Sequence, residues 1–191
     1  MKAFVVNVSD LLNKPGARRH ERVEGRLVGP VTVVDSSIRP DVPATVDAIL
    51  EWVSDGLLVT GTVTGGWEGP CRRCLGVVRG DSAVQVQELF EARPREGESY
   101  PLQHDRIDLE PLAREALTLD LPLAPLCSAG CRGLCATCGA DLNQGGCACP
   151  PPGADVRWAA LDALRLDSAA LPADPGSLPA DPDCLRVDPD R

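Results

Sequence analysis

The sequence predicts an α+β fold, with an antiparallel sheet or small open barrel in the N-terminal half and two short helices with cysteine knuckles in the C-terminal half. Three observations carry this expectation. Apolar residues alternate with polar ones up to Phe90, and from Leu109 they recur at helical spacing. Eight of the nine cysteines also fall into close pairs, Cys71/Cys74, Cys127/Cys131, Cys135/Cys138 and Cys147/Cys149.

The strands come first. ValThrValVal at 31–34 is one. Val46, Ala48, Leu50 and Trp52 then alternate with Asp47 and Glu51, the turn Ser54-Asp55-Gly56 follows, and Leu57, Val59 and Val63 resume the alternation. That pattern is a β-hairpin. Val84, Val86 and Phe90 mark a further strand, and a sheet of about four to six strands fits these lengths. Gly61, Gly65, Gly66 and Gly69 read as bulges or as places where another backbone comes close.

Leu109, Leu112, Ala113, Ala116 and Leu117 lie on one helical face, with Asp108 placed as N-cap and Pro111 in the first turn. Leu119, Leu121 and Leu123 alternate with Asp120 and Pro122, which predicts an extended exit leading to Cys127. A second short helix is expected at 156–165, capped by Asp155. Beyond residue 166 the pentapeptide LeuProAlaAspPro occurs at 171–175 and again at 178–182, so 167–191 reads as an acidic, Pro-rich disordered tail behind a single domain at 1–166. Trp52, Trp67 and Trp158 are expected in the core.

Composition narrows the function. MKAFVVNVSDLL does not read as a signal peptide, and no stretch of about 18 apolar residues is uninterrupted, so a cytoplasmic chain with no membrane partner is expected. The net charge is −9; residues 167–191 hold six acidic and two basic side chains, or −4, leaving −5 for residues 1–166. Such a balance disfavours unspecific binding to RNA phosphates.

In a reducing compartment, paired cysteines point to metal. Zinc takes four tetrahedral ligands, and a Cys-x-x-Cys turn brings two thiolates to one ion. In Cys135-Ala-Thr-Cys138-Gly139 the glycine can take the positive φ that closes such a turn. With Cys147 and Cys149 this makes a local site, and Cys71, Cys74, Cys127 and Cys131 would make a long-range one. Two zinc ions per chain are therefore expected, although spacing leaves other partitions open, such as Cys127/Cys131 with Cys135/Cys138. Two zinc knuckles of four thiolates would each add a charge of about −2.

Catalytic readings fare less well. Cys131-x3-Cys135-x2-Cys138 matches a spacing used in radical enzymes, but only 53 residues follow Cys138, too few for their barrel. Cys71-Arg-Arg-Cys74 follows a strand and does not open the helix of a redox βαβ unit. His20 and His104 belong to no metal or nucleophile motif, no phosphate-binding glycine loop is present, and a site closed by four thiolates is structural, so a non-enzyme is expected. Arg72 and Arg73, fixed between two ligands, are candidate partner contacts or ordinary surface charge, as is the cluster Arg18-Arg19-His20-Glu21-Arg22. Cys184 reads as an isolated thiol.

TrpGluGlyProCysArgArgCysLeu at 67–75, GluLeuPhe at 88–90, IleAspLeu at 107–109, AlaLeuThrLeuAspLeuProLeuAlaProLeuCys at 116–127, CysArgGlyLeuCysAlaThrCysGlyAlaAspLeuAsn at 131–143 and AspValArgTrpAlaAlaLeu at 155–161 resemble the YceD family. Its members are large ribosomal RNA subunit accumulation proteins. The resemblance runs from about residue 25 to 166, and the acidic tail has no counterpart in it. It implies a role in synthesis, processing or stability of large-subunit (23S) rRNA and in large ribosomal subunit assembly. Relatives that keep the first cysteine motif and lack the Gly-Leu-Cys cluster place Cys71/Cys74 and Cys135/Cys138 in different sites. The implied partners are a large-subunit precursor, rRNA or a basic ribosomal protein; the acidity favours the protein, and no small-molecule substrate is expected. The alternative from another class is a thiol- or zinc-based redox regulator.

Overall fold

In a computed structural model of the chain, the described residues are 3–54, 56–150 and 157–158. The chain divides into two units, Met1–Ala148 and Cys149–Arg191. The second is described only at Cys149, Pro150, Arg157 and Trp158, so the expected tail at 167–191 and nearly all of the expected helix at 156–165 lie outside the described residues. Trp158, expected in the core, is 64% exposed.

The first unit is a strand-rich, curled open sheet with one helix. Its elements are β1 (Val5–Asn7), β2 (Arg18–Gly25), β3 (Thr32–Val33), β4 (Ser36–Ile38), β5 (Ala44–Val53), β6 (Gly56–Pro70), β7 (Val77–Glu91), β8 (Tyr100–Gln103), β9 (Arg106–Asp108) and α1 (Glu110–Asp120). The strand order is β1-β9-β8-β7-β6-β4-β3, with β5 also on β6 and β2 on β5. All pairs are antiparallel except β7 with β8, which run parallel through Phe90 and Tyr100.

The hairpin read from the alternation is β5–β6. Ala44, Val46, Ala48, Leu50 and Trp52 are buried on one face, and Val53 pairs with Gly56 across a turn in which Ser54 takes φ 44°. Strand β6 continues to Pro70 and pairs with β7 from Gly56↔Glu91 to Pro70↔Val77 without a slip in register. The β6 glycines therefore mark close approach and not bulges. At Gly61 a Cβ would stand 2.2 Å from the Asp47 carbonyl oxygen, so only glycine allows β5 and β6 to meet there.

Strand β2 shows no apolar alternation. It is an edge strand whose charges are paired: Arg18 with Glu51 at 2.9 Å, Arg22 with Asp47 at 3.0 Å and Arg19 with Asp10 at 2.5 Å. His20, at 2.6 Å from Asp47, is the first cause holding that carboxyl below its usual range.

Helix α1 buries Leu112, Ala113, Ala116 and Leu117 against the sheet, where they join Phe90, Leu50, Leu57 and Ile107 in one core. Its N-cap residue is Leu109, while Asp108 Oδ1 accepts the Glu110 N–H at 3.0 Å and Pro111 stands in the first turn. The extended exit expected at 119–123 is not a strand. The helix runs on through Asp120, with Thr118 Oγ1 donating to the Arg114 carbonyl at 2.6 Å, and leaves Leu119 81% exposed. It stops because Leu121 precedes Pro122, which forbids helical ψ; Leu121 takes ψ 128° and turns inward. The second predicted helix aside, the described residues thus contain one helix.

Candidate metal centres

The register of β6 and β7 makes residues 71–76 a hairpin loop. Cys71 N–H donates to the Gly76 carbonyl at 2.7 Å and Leu75 N–H to the Cys71 carbonyl at 2.9 Å, with Leu75 at φ 60°. This tight turn holds Cys71 and Cys74 side by side at the end of the longest ladder in the sheet.

The chain leaving α1 is sewn onto that loop. Arg72 N–H donates to the Pro125 carbonyl at 2.9 Å and Leu134 N–H to the Arg73 carbonyl at 3.2 Å. The Arg73 guanidinium donates to the carbonyls of Ala129, at 3.2 Å, and Cys131, at 2.9 Å. Gly133, at φ 74°, lies so close that a Cβ would stand 2.9 Å from the Arg73 carbonyl oxygen. Cys127 and Cys131 therefore arrive opposite Cys71 and Cys74. Cys71 and Cys131 sulfurs are 3.8 Å apart, those of Cys74 and Cys127 3.7 Å, and all four lie within 4.8 Å of one another.

These separations fit a metal and not a disulfide, whose sulfurs stand about 2.05 Å apart. Four thiolates at a zinc–sulfur distance of about 2.3 Å form a tetrahedron with edges of about 3.8 Å. The thiol acidities point the same way. Backbone N–H groups of Cys127 and then Cys74 pull Cys71 down to about 6, while the crowding sulfurs of Cys131 and then Cys74 push Cys127 up to about 12. Without a cation the four cannot all ionise; a bound dication removes that conflict. Cys71 and Cys131 are buried, where a thiolate needs such a counter-charge.

The second group is Cys135, Cys138, Cys147 and Cys149, the last standing two residues beyond Cys147 as the first residue of the second unit; their sulfurs also lie within 4.8 Å of one another. Cys135 N–H donates to Ala140 and Gly139 N–H to Cys135, both at 2.8 Å, with Gly139 at φ 72° as the knuckle requires. The N–H groups of Cys138 and then Thr137 bring Cys135 to about 6. Both groups could hold a metal ion, and their all-sulfur, tetrahedral character suits zinc.

One residue joins them. Asn143, in the loop of the second knuckle, directs its Nδ2 to the Cys131 sulfur at 3.5 Å, and its Oδ1 accepts the Arg132 N–H at 2.8 Å. Asp141 orients it by accepting both its main-chain N–H, at 2.9 Å, and its Nδ2, at 2.7 Å. Sequence reasoning did not single out Asn143, Gly133 or the inward task of Arg73. The signal that could have found Gly133 and Asn143 is the stretch CysArgGlyLeuCysAlaThrCysGlyAlaAspLeuAsn at 131–143, which holds both among the cysteines. Arg72 and Arg73 both stay exposed, but the guanidinium of Arg73 serves the loop that carries Cys131, leaving Arg72 as the freer of the two. Cys184 lies outside the described residues.

The family described as Large ribosomal RNA subunit accumulation protein YceD matches residues 59–165, a span that holds all eight paired cysteines. An uncharacterized protein of Mycobacterium tuberculosis is 36% identical over 174 residues, covering 83% of this chain and 79% of that protein, and one of Mycobacterium bovis matches to the same extent. The large ribosomal RNA subunit accumulation protein YCED homolog 1, chloroplastic, of Zea mays is 38% identical over 53 residues, 27% of this chain and 18% of that protein. No solved structure matches the chain.

Proposed function

Because the chain belongs to the YceD family, we propose that it is a non-catalytic zinc-binding factor supporting the synthesis, processing or stability of large-subunit rRNA, and hence large-subunit assembly. The observation that carries this is the family match across 59–165, reinforced by the two four-cysteine groups inside that span. A zinc ion enclosed by four thiolates has no open position for substrate, so each would act structurally, the first holding the β6–β7 loop to the segment after α1 and the second closing the local knuckle. The net charge of −9 supports contact through a basic ribosomal protein or a precursor particle bearing one, in place of bare RNA phosphates.

Depletion of the protein in cells tests this. Loss of free large subunits and accumulation of precursor rRNA on gradients are expected, both reversed by the intact chain. Unchanged profiles in ordinary and in cold growth would overturn the proposal.

A second reading, thiol redox regulation, draws on Cys71 and Cys135, whose thiols neighbouring backbone N–H groups hold at about 6, so that without a metal both would be mainly thiolate at neutral pH. Metal counting under peroxide separates the two. About two zinc ions retained per chain supports the clamp, and release with disulfide formation supports the switch.

A further inference from the structure

Strand β7 has two edges, and only one is used along most of its length. Toward β6 every residue from Val77 to Glu91 is paired; toward β8 only Phe90 and Glu91 are. Among the described residues, no other strand and no loop carbonyl or amide bonds to the main chain of Val77–Leu89. At about 3.3 Å per residue this is a free edge roughly 40 Å long.

Edges are ordinarily blunted by charge, proline or a covering element. The β2 edge is: Arg18, Arg19, Glu21, Arg22 and Glu24 decorate its eight residues. By contrast Val77–Leu89 contains no lysine and no proline, and its single arginine, Arg79, is held by Glu68 at 3.0 Å. Over Val84–Glu88 the edge opens into a groove of about 280 Å³ whose other wall is Leu112, Glu115, Ala116, Leu119 and Asp120 of α1. Five consecutive β7 residues, Val84 to Glu88, line it, as a strand seen edge-on presents them.

The groove has a definite charge. Glu88, Glu115 and Asp120 converge on it, and among the described residues no arginine or lysine pairs with any of them. Burial, and then the charge of Glu115, hold the Glu88 carboxyl above its usual range, the response of an acid that lacks a cation. Tyr100 OH donates to Glu115 at 2.5 Å and fixes that carboxylate on the rim. Leu119 on the helix wall and Val77 at the start of β7 are exposed apolar side chains, at 81% and 70%.

We propose that the free edge of β7 accepts an extended, basic polypeptide segment of a partner protein as an added strand, its cationic side chains meeting Glu88, Glu115 and Asp120. This rests on the reading of the chain as an assembly factor that works through a basic ribosomal protein, and it names where that protein is held. Main-chain hydrogen bonds supply attraction without sequence demand, and the alternation of a strand sends every second side chain toward the acids. An RNA strand would meet three carboxylates, and so would the acidic sequence of residues 167–191, which carries a net −4 from six acidic and two basic side chains.

Purified full-length, zinc-loaded protein would be titrated with a fluorescent octapeptide of alternating lysine and valine. The controls are the same peptide N-methylated at alternate backbone nitrogens, a glutamate-for-lysine version and an octauridine RNA. Saturable binding of the lysine peptide is expected, weakened about tenfold or more by N-methylation, with amide exchange slowed within 77–89. The Glu88→Gln/Asp120→Asn variant should bind several-fold less and show a flatter salt dependence while melting no lower than the parent chain. Equal binding of the N-methylated peptide, protection elsewhere in the sheet, preference for the RNA, or self-association through β7 measured as a doubled mass would each overturn the proposal. Its failure is separable from that of the ribosomal reading, because peptide capture is measured on purified protein and rRNA accumulation in cells.

Discussion

Replacing Cys74 and Cys127 by serine is expected to cost more stability than replacing Cys138 and Cys147, although each pair removes two ligands from one site. The difference lies in the loop each metal closes. Cys74 and Cys127 are 53 residues apart, whereas Cys138 and Cys147 are nine apart. Loop-closure entropy grows as three-halves RT times the logarithm of length, so the longer clasp removes about 1.6 kcal/mol more freedom from the unfolded chain. For a protein of this size that is an added fall of roughly 3–6 °C in melting temperature. Cys74 and Cys127 are the suitable pair because their sulfurs are partly exposed, so serine there buries no new hydroxyl, as it would at Cys71 or Cys131. Zinc released on denaturation, counted with a chromogenic chelator, should fall from two to one in either variant, and melting would be followed at matched protein and zinc concentrations. Equal melting temperatures, a larger loss from the Cys138/Cys147 variant, or the loss of both ions from either one would refute the assignment of long and short clasps.

Asn143→Ala should release zinc from the first site about 10–100-fold faster to a competing chelator, since the amide that reaches the Cys131 sulfur also fixes the Arg132 main chain; an unchanged rate would show that contact to be idle. Gly61→Ala should destabilise by about 1–3 kcal/mol or more in urea titrations, because its Cβ would meet the Asp47 carbonyl and the Ala48 Cα on a paired strand, and a neutral result would mean that β5 and β6 can part there. Glu88→Gln should raise the melting temperature at pH 7 by an amount that disappears toward pH 4. The folded state holds the Glu88 proton more tightly than the unfolded chain does, so this group's stabilising contribution is complete below the ordinary carboxylate pKa and is lost as pH rises through the raised folded value. A gain that is the same at both pH values would contradict that sign.

The parts legible in the sequence are those fixed by near neighbours. The alternation of Val46, Ala48, Leu50 and Trp52 marked β5 because one face of that strand is fully buried, and the spacing of Leu109 to Leu117 marked α1 for the same reason. Strand β2 was hidden because an edge strand pairs by its backbone and keeps charges on its surface, so RRHERVEG carries no apolar period. Strands β1, β8 and β9 were hidden for another reason: they are three or four residues long, and β1 pairs with a partner some hundred residues away, at Val5↔Asp108. The exit after α1 was misread because alternating leucines say strand only if a neighbouring strand is present, and Pro122 makes Leu121 extended without one. At the metal centres, the short spacing and Gly139 located the local knuckle, while the remaining four cysteines were grouped by elimination. What joins those four is tertiary: the hairpin register that places residues 71–76, the Arg73 clamp, and the clearance at Gly133.

The long clasp also sets an order of events during synthesis. Cys71 and Cys74 leave the ribosome with the β6–β7 hairpin still to be completed, and Cys127 follows 53 residues after Cys74. At about 5–20 residues per second, the nascent chain spends roughly 3–11 s with half a metal site and no second half to close it. The backbone N–H of Cys127 is the first cause of the lowered Cys71 acidity constant, so that thiol gains its folded character only when the second half of the site arrives. Completion then comes late and all at once, when Cys131 emerges and the segment after α1 can be drawn onto the loop. A metal ion bound at the first site would therefore signal that the sheet and the helix have both been made.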